Sequence, residues 1–461
     1  MIKRYIGDKA FYRRMLAVVL PLIIQNSITN FVSLLDNIMV GQVGTVQMSG
    51  VAIVNQLLFV FNLTIFGATS GAGIFTAQFF GSGDNDGIRH TFRFKVLSGL
   101  LLTAAGIGIF LWGGNTLISL YLRGEGEAEN AALSLSYGLE YLHIMFFGLP
   151  AFALATAYSG TIRECGETRV PMIASVCAVF VNLMLNYILI FGHLGFAPMG
   201  VRGAALATVI ARYVELAIVA AWAHTHAQKH PFITSAYRTF RIPAPLLKSI
   251  VRKGMPLMIN EFLWASGMAI MNQCYSTRGL DVVAALNISS TMYNLASVVF
   301  LSMGNCVGIL IGQMLGAGRP EEEVRDADRK LIAVSVVSCL VFGGLMAALS
   351  GVFPLLYNTT AEVRSLATVL ICISAVMMPL NAYTNAAYFT LRSGGQTLVT
   401  FLFDSCYVWV LCVPLAFCLS RFTSISIVVL YGICQAADII KCGIGAAMIK
   451  QGKWIQNLTA E

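Results

Sequence analysis

Charge is what this chain lacks. Of 461 residues, only 11% are Asp, Glu, Lys or Arg, and mean hydropathy is +0.75. A soluble domain carries roughly 25% charged residues. So few charges cannot cover a water-facing surface, so much of this surface must meet lipid. Nucleotide-binding and catalytic signatures are missing too. No GxxxxGK[ST] loop occurs, which removes direct ATP drive, and no paired-His motif, nucleophile elbow or metal cluster supports a membrane-embedded enzyme. The eleven cysteines include no CxxC pair and no Cys/His cluster at zinc spacing. Several (Cys177, Cys339, Cys372, Cys412) fall in apolar runs, as small packing residues do. The net charge of +8 does not point to nucleic acid, because the Lys and Arg residues lie in short loops between apolar runs.

Long apolar runs are what is present. Each of twelve stretches holds the roughly 20 apolar residues that a spanning helix needs. They centre in 15–40, 53–80, 96–121, 134–161, 170–191, 203–223, 254–277, 284–315, 331–357, 366–391, 398–419 and 426–449. The runs are continuously apolar rather than alternating, which favours helices over a barrel. The expected fold is an all-α integral membrane protein of twelve helices. The N-terminal MIKRYIGDKAFYRR is basic, but the apolar stretch after it, Met15 to Val40, is too long for a signal-peptide core. It reads as the first span.

Loop charge agrees with this count. With twelve spans, the N-terminus, alternate loops and the tail hold 23 Lys and Arg residues, and the opposite loops hold five: Arg123, Arg202, Arg278, Arg364 and Arg421. The asymmetry places both termini in the cytoplasm; the expected location is a bacterial inner membrane, crossed many times.

The chain also repeats itself. Shifted by 235, Pro21, Gly44, Gly73, Gln78, Gly81 and Gly83 fall on Pro256, Gly279, Gly308, Gln313, Gly316 and Gly318. Farther along the shift is 229, and Pro150, Ala157, Arg163, Gly166 and Thr168 fall on Pro379, Ala386, Arg392, Gly395 and Thr397. The missing six residues are placed at RGEGEAEN (123–130). Six spans per half give both halves the same orientation, related by a pseudo-twofold axis along the membrane normal. Such a design leaves a central cleft and gives alternating access by rocking. The expected organisation is an N-half at 1–223, a basic cytoplasmic linker at 224–253 and a C-half at 254–461.

Ionisable groups inside a bilayer are costly and so are functional candidates. Asp36 lies in the first span, within SLLDNIMVG. Asn182 and Asn186 share one face of the fifth span by their i, i+4 spacing. Thr208 lies one turn after Ala204 in the sixth. A carboxylate, two amides, a hydroxyl and the Ala204 carbonyl form an all-oxygen set of the kind hard cations take. The same amides and hydroxyl also suit plain interhelical hydrogen bonding. In the C-half, Glu261, Asn381 and Asp404 are candidates for a substrate cavity or a secondary proton site. Arg212 with Glu215, and Asp438 with Lys441, have the i, i+3 spacing of structural pairs. Pro21, Pro150, Pro256 and Pro379 each fall within a span and permit kinks.

The segments PLIIQNSITNFVSLLDNIMVGQVG (21–44), GAGIFTAQFFGSGD (71–84), RECGETRVPM (163–172), NLMLNYILIFG (182–192) and GVRGAALATVIAR (200–212), with the repeats GILIGQMLGAG (308–318) and LRSGGQT (391–397), together resemble the multidrug and toxic compound extrusion (MATE) transporters. The resemblance implies Na+- or H+-coupled export of small organic, cationic or amphipathic compounds. It assigns the N-half cation site to Asp36, Asn182, Asn186 and Thr208, with Na+ a possible ligand of those four. Neutral amide and hydroxyl oxygens around a carboxylate favour Na+, and a proton on Asp36 is the rival. The chain departs from the family in its C-half. A glutamate of the sodium-coupled branch, about eight residues after the helix-seven proline, is Trp264 here, with Glu261 one turn earlier. The C-half aspartate is Asn381. The resemblance thus implies cation chemistry in the N-half. The expected partners are small organic substrates and the bilayer, with a monomeric chain, no nucleic acid, no ATP and no cofactor besides the coupling ion. A flippase for lipid-linked oligosaccharide shares the architecture and would need a cationic cavity. Intramembrane Lys and Arg are too few to favour it.

Overall fold

The computed structural model describes residues 5–122 and 128–460. Lys3, Arg4, Arg123 and most of the RGEGEAEN segment lie outside the described residues. Helices α1 (Lys9–Gly41), α2 (Thr45–Ser82), α3 (Asn85–Leu122), α4 (Ala128–Met145), α5 (Gly148–Glu164), α6 (Arg169–Phe191) and α7 (Val201–Thr225) form the first half. The second contains α8 (Ala244–Ser276), α9 (Leu280–Gly316), α10 (Glu321–Leu349) and α11 (Ala361–Ser393). It ends with α12 (Thr397–Phe422) and α13 (Ile427–Gln451). No strand occurs among the described residues.

Ten of these helices are long and apolar enough to cross a membrane, and α4 with α5 makes one further span bent by 49°. The bend follows from the chain at 146–150. Phe146 and Phe147 leave the helix, and Pro150 sits in the first turn of α5, where its missing N–H leaves no bond unmade. Pro150 therefore opens the second limb of a span rather than kinking its middle. The twelfth span is α8, which is 33 residues long, about 50 Å at 1.5 Å per residue. Asn260, Glu261, Asn272 and Gln273 lower its hydropathy without shortening it. The twelve expected runs thus each have a helical counterpart.

Many of the Lys and Arg residues counted with the loops lie on the ends of helices, among them Arg89, Arg93 and Lys95, which lie inside α3. Arg93 and Lys95 are buried. Arg93 bonds the carbonyls of Ser235 (2.9 Å) and Ala236 (2.8 Å), and so fastens the segment after α7 to α3.

The internal repeat is visible in the backbone. Gly83 and Gly318 have φ of +76° and +63°, and Gly166 and Gly395 have +89° and +73°. L side chains resist that left-handed region, so glycine is the residue that ends each helix there. The bonds match as well. Gly166 N–H donates to Arg163 C=O and Gly395 N–H to Arg392 C=O, both at 2.9 Å.

The described chain divides into two compact units. One comprises Met1–Ile23, Ala77–Gly83 and Met255–Glu461, and the other Ile24–Thr76 and Asp84–Gly254. The breaks in α1 and α8 fall beside the repeat-related Pro21 and Pro256. In the first unit, Met15, Val18, Val19 and Leu22 of α1 join the buried cluster of α9 and α11. Gln78, wholly buried at the end of α2, donates to the carbonyls of Ser393 (2.9 Å) and Gln456 (3.2 Å), and its Oε1 accepts from the Leu458 N–H (2.7 Å). The C-terminal segment is thereby held on the ends of α2 and α11, with Trp454 1% exposed. In the second unit, α7 packs on α4, α5 and α6. Its core unites Val54 and Phe61 of α2 with Leu142, Leu149, Ile190 and Ala205.

Candidate cation site

Helices α1, α6 and α7 bring the five N-half candidates into one cluster. Asn186 Nδ2 donates to Asp36 Oδ1 at 2.8 Å. Thr208 Oγ1 donates to the Ala204 carbonyl at 3.0 Å. That bond is the turn-to-turn back-bond a helical threonine makes. The Asn182 amide is best satisfied with its NH2 on Asp36, 2.8 Å from Oδ2 and 3.0 Å from Oδ1. Its oxygen then accepts from the Thr208 N–H (3.2 Å) and, at 3.3 Å, shares the Thr208 hydroxyl hydrogen with the Ala204 carbonyl. Both asparagines are buried, at 7% and 2% exposure. The wall behind them includes Tyr141 of α4, whose hydroxyl donates to Asn55 Oδ1 at 3.3 Å.

One atom of the cluster is left without a partner. Asn186 Oδ1 is buried and accepts no hydrogen bond. A buried amide oxygen unpaired in this way costs about 1–3 kcal/mol, and such groups call for a ligand or a functional reason. The donor set suits a hard monovalent cation. Two amide groups now spend their N–H donors on the carboxylate, and each carries an oxygen that an amide rotation would turn to the same place. Arg212, one turn beyond Thr208, does not fill the position. It pairs with Glu215 at 3.2 Å, as its spacing suggested, and lies 5.0 Å from the Phe152 ring centroid.

The C-half candidates separate into two places. Asn381 donates to the Tyr293 hydroxyl of α9 at 3.0 Å. Asp404 accepts from Lys441 Nζ at 2.7 Å and from Asn260 Nδ2 at 3.0 Å. Lys441 thus makes its ion pair across two helices with Asp404, and not along α13 with Asp438 as the i, i+3 spacing suggested. Glu261 lies within electrostatic reach of Asp404 and Arg392.

Three polar contacts escaped sequence reasoning. Asn260, 2% exposed, stands next to the singled-out Glu261 and is the residue that turns inward. Lys95 of α3 is paired with Glu164 of α5 and bonded to Thr161 at 3.2 Å. Asp328 of α10 bonds Thr390 of α11 and is 1% exposed. Equivalence under the repeat of Thr161 and Thr390 is the signal that finds the last two.

Comparison with known proteins agrees with this architecture. The family model MatE matches residues 21–188 and 256–418, one block in each half. A probable multidrug resistance protein NorM of Thermotoga maritima is 24% identical over 96% of this chain and 93% of its own length. The Bacillus subtilis protein YoeA, also named a probable multidrug resistance protein, is 25% identical over 90% and 88%. The structure of a MATE protein in complex with MaL6 superposes with a TM-score of 0.83 at 19% identity, covering 98% of this chain and 99% of that one. An outward-facing multidrug resistance MATE transporter of the MOP superfamily gives 0.82 at 20% identity, over 98% of both chains. The chain is therefore a multi-pass membrane protein with the twelve-helix MATE fold, and it belongs to the MatE family.

Proposed function

We propose that the protein exports small organic, cationic or amphipathic compounds by exchange for Na+ or H+ at the Asp36 cluster. The observation that carries this reading is a half-buried carboxylate that accepts hydrogen bonds from two buried amides, beside an amide oxygen with no partner. The relatives named as multidrug resistance proteins support the substrate class. The Lys and Arg distribution supports a cytoplasmic location for both termini. Ion binding must favour one of two conformations, because an ion with equal affinity for both drives nothing. The all-oxygen donor set favours Na+, and protonation of Asp36 would compete with it.

Three cations within the spans, each already paired, speak for drug export over transport of an anionic lipid-linked sugar. Lys95, Arg212 and Lys441 each have a carboxylate partner, so they present no free positive charge to an anionic head group. The test is reconstitution into vesicles, with ethidium transport followed under a Na+ gradient alone and a pH gradient alone. A gradient-dependent flux, faster with Na+, is expected. Equal flux with and without either gradient would overturn the reading.

A further inference from the structure

The repeat relates α8, α12 and α13 to α1, α6 and α7, the helices that carry Asp36, Asn182, Asn186 and Thr208. The second trio also converges on a carboxylate, with its parts redistributed. Asn260 comes from α8, Asp404 and Ser405 from α12, and Lys441 from α13. Ser405 fixes the Asn260 amide by donating to Oδ1 from its hydroxyl (2.7 Å) and its N–H (3.3 Å). That leaves Asn260 Nδ2 aimed at Asp404 Oδ2. Two π-helical turns, Leu402–Cys406 and Val408–Cys412, widen α12 at this level. Pro414, two residues beyond, lacks the N–H of a regular turn, and widened turns of this kind collect at functional sites.

The Lys441 ammonium sits in this cluster as a bound cation would. It is 2.7 Å from Asp404 Oδ1. It also lies 5.3 Å from the Phe403 ring centroid and 5.8 Å from that of Tyr407, within cation–π range. The Asp438 carboxyl lies within electrostatic reach of Lys441, and Glu261 within reach of Asp404 and Arg392. Under the 229-residue shift, Lys441 falls on Arg212. The two halves differ in where that base goes. Arg212 turns to Glu215 and leaves Asp36 to the amides, whereas Lys441 enters its carboxylate.

We propose that the α8–α12–α13 cluster is a second cation-binding centre, specific for a primary ammonium, and that Lys441 is its tethered resident cation. While the lysine is in place, Asp404 is closed to an exchangeable ion. Cutting the side chain back to its Cβ vacates a site shaped for propylammonium. The proposal uses the N-half reading only for the comparison of helices, and its test reads the C-half alone.

The experiment measures thermal unfolding of the purified, detergent-solubilised protein with Lys441→Ala, titrated with propylammonium chloride. The variant should melt several degrees below the parent, in line with loss of a largely buried ion pair. Propylammonium should restore the melting point saturably, while 1-propanol and tetramethylammonium should not. The parent should respond to none of the three. In Asp404→Asn/Lys441→Ala the rescue should vanish. Equal restoration by propanol, no melting change in Lys441→Ala, or rescue that survives Asp404→Asn would overturn the proposal. If Lys441→Ala does not yield folded protein, Asp404→Asn/Lys441→Met replaces it. Removing both charges should then recover folded material that Lys441→Met alone does not give, and failure to recover it would likewise count against the resident-cation role.

Discussion

Replacing Asp36 by asparagine is expected to reduce gradient-driven export to the level of protein-free vesicles while leaving the fold intact. The side chain keeps its size, and Asn186 and Asn182 keep a carbonyl oxygen to bond. What disappears is the negative charge. A charge-assisted contact is worth about 1.5–3 kcal/mol, which corresponds to roughly ten- to 150-fold in ion affinity. Coupling then fails, because the conformational bias equals the differential binding energy of the ion. The melting temperature in the absence of Na+ should hold or rise, since an uncharged side chain carries no desolvation cost for a half-buried carboxylate. Transport and melting measured on the same preparation separate loss of coupling from loss of folding.

Adding one methyl group at Gly316 is expected to destabilise the protein by about 1–3 kcal/mol, the usual cost of overpacking. The effect should appear as an apparent melting point several degrees lower. A Cβ there would stand 1.9 Å from the Gln78 carbonyl oxygen, and a Cβ on the repeat-related Gly81 would stand 2.0 Å from that of Gln313. In both cases the obstacle is backbone, so no side-chain rotation relieves it. The end of α2 and the end of α9 approach reciprocally inside one compact unit. Gly344 supplies the control. It also lies within a helix, but a Cβ there meets nothing within 4 Å. Gly344→Ala should stabilise slightly, because alanine favours a helix by about 1 kcal/mol over glycine. Equal melting of Gly316→Ala and Gly344→Ala would contradict the packing described.

Much of this organisation was legible in the sequence, for reasons that differ by feature. The spans were readable because a bilayer demands length and apolarity from each helix independently. The repeat was readable at turn glycines, since Gly83, Gly166, Gly318 and Gly395 occupy backbone conformations that other residues avoid. Asn182 and Asn186 were readable because i, i+4 spacing fixes a shared face whatever surrounds the helix. The lysines were not. Lys441 has an acidic neighbour three residues away in Asp438, yet its partner is Asp404, 37 positions earlier. Local spacing gives no weight to a contact between residues of two different helices, here within a widened turn of α12. Lys95 looked like a loop charge because it lies near the end of a run, and its partner Glu164 belongs to another helix. Pro150 was placed within a span by hydropathy alone, which does not register a bend at Phe146–Phe147.

The central claim is that one carboxylate, Asp36, holds the coupling ion among α1, α6 and α7. Binding of 22Na+ to the purified protein, measured across pH, tests it most directly. Protonation neutralises the carboxylate, so bound Na+ should increase as pH rises and saturate at one ion per chain, with Asp36→Asn abolishing the signal. Na+ binding that is independent of pH and unchanged in Asp36→Asn would contradict the account.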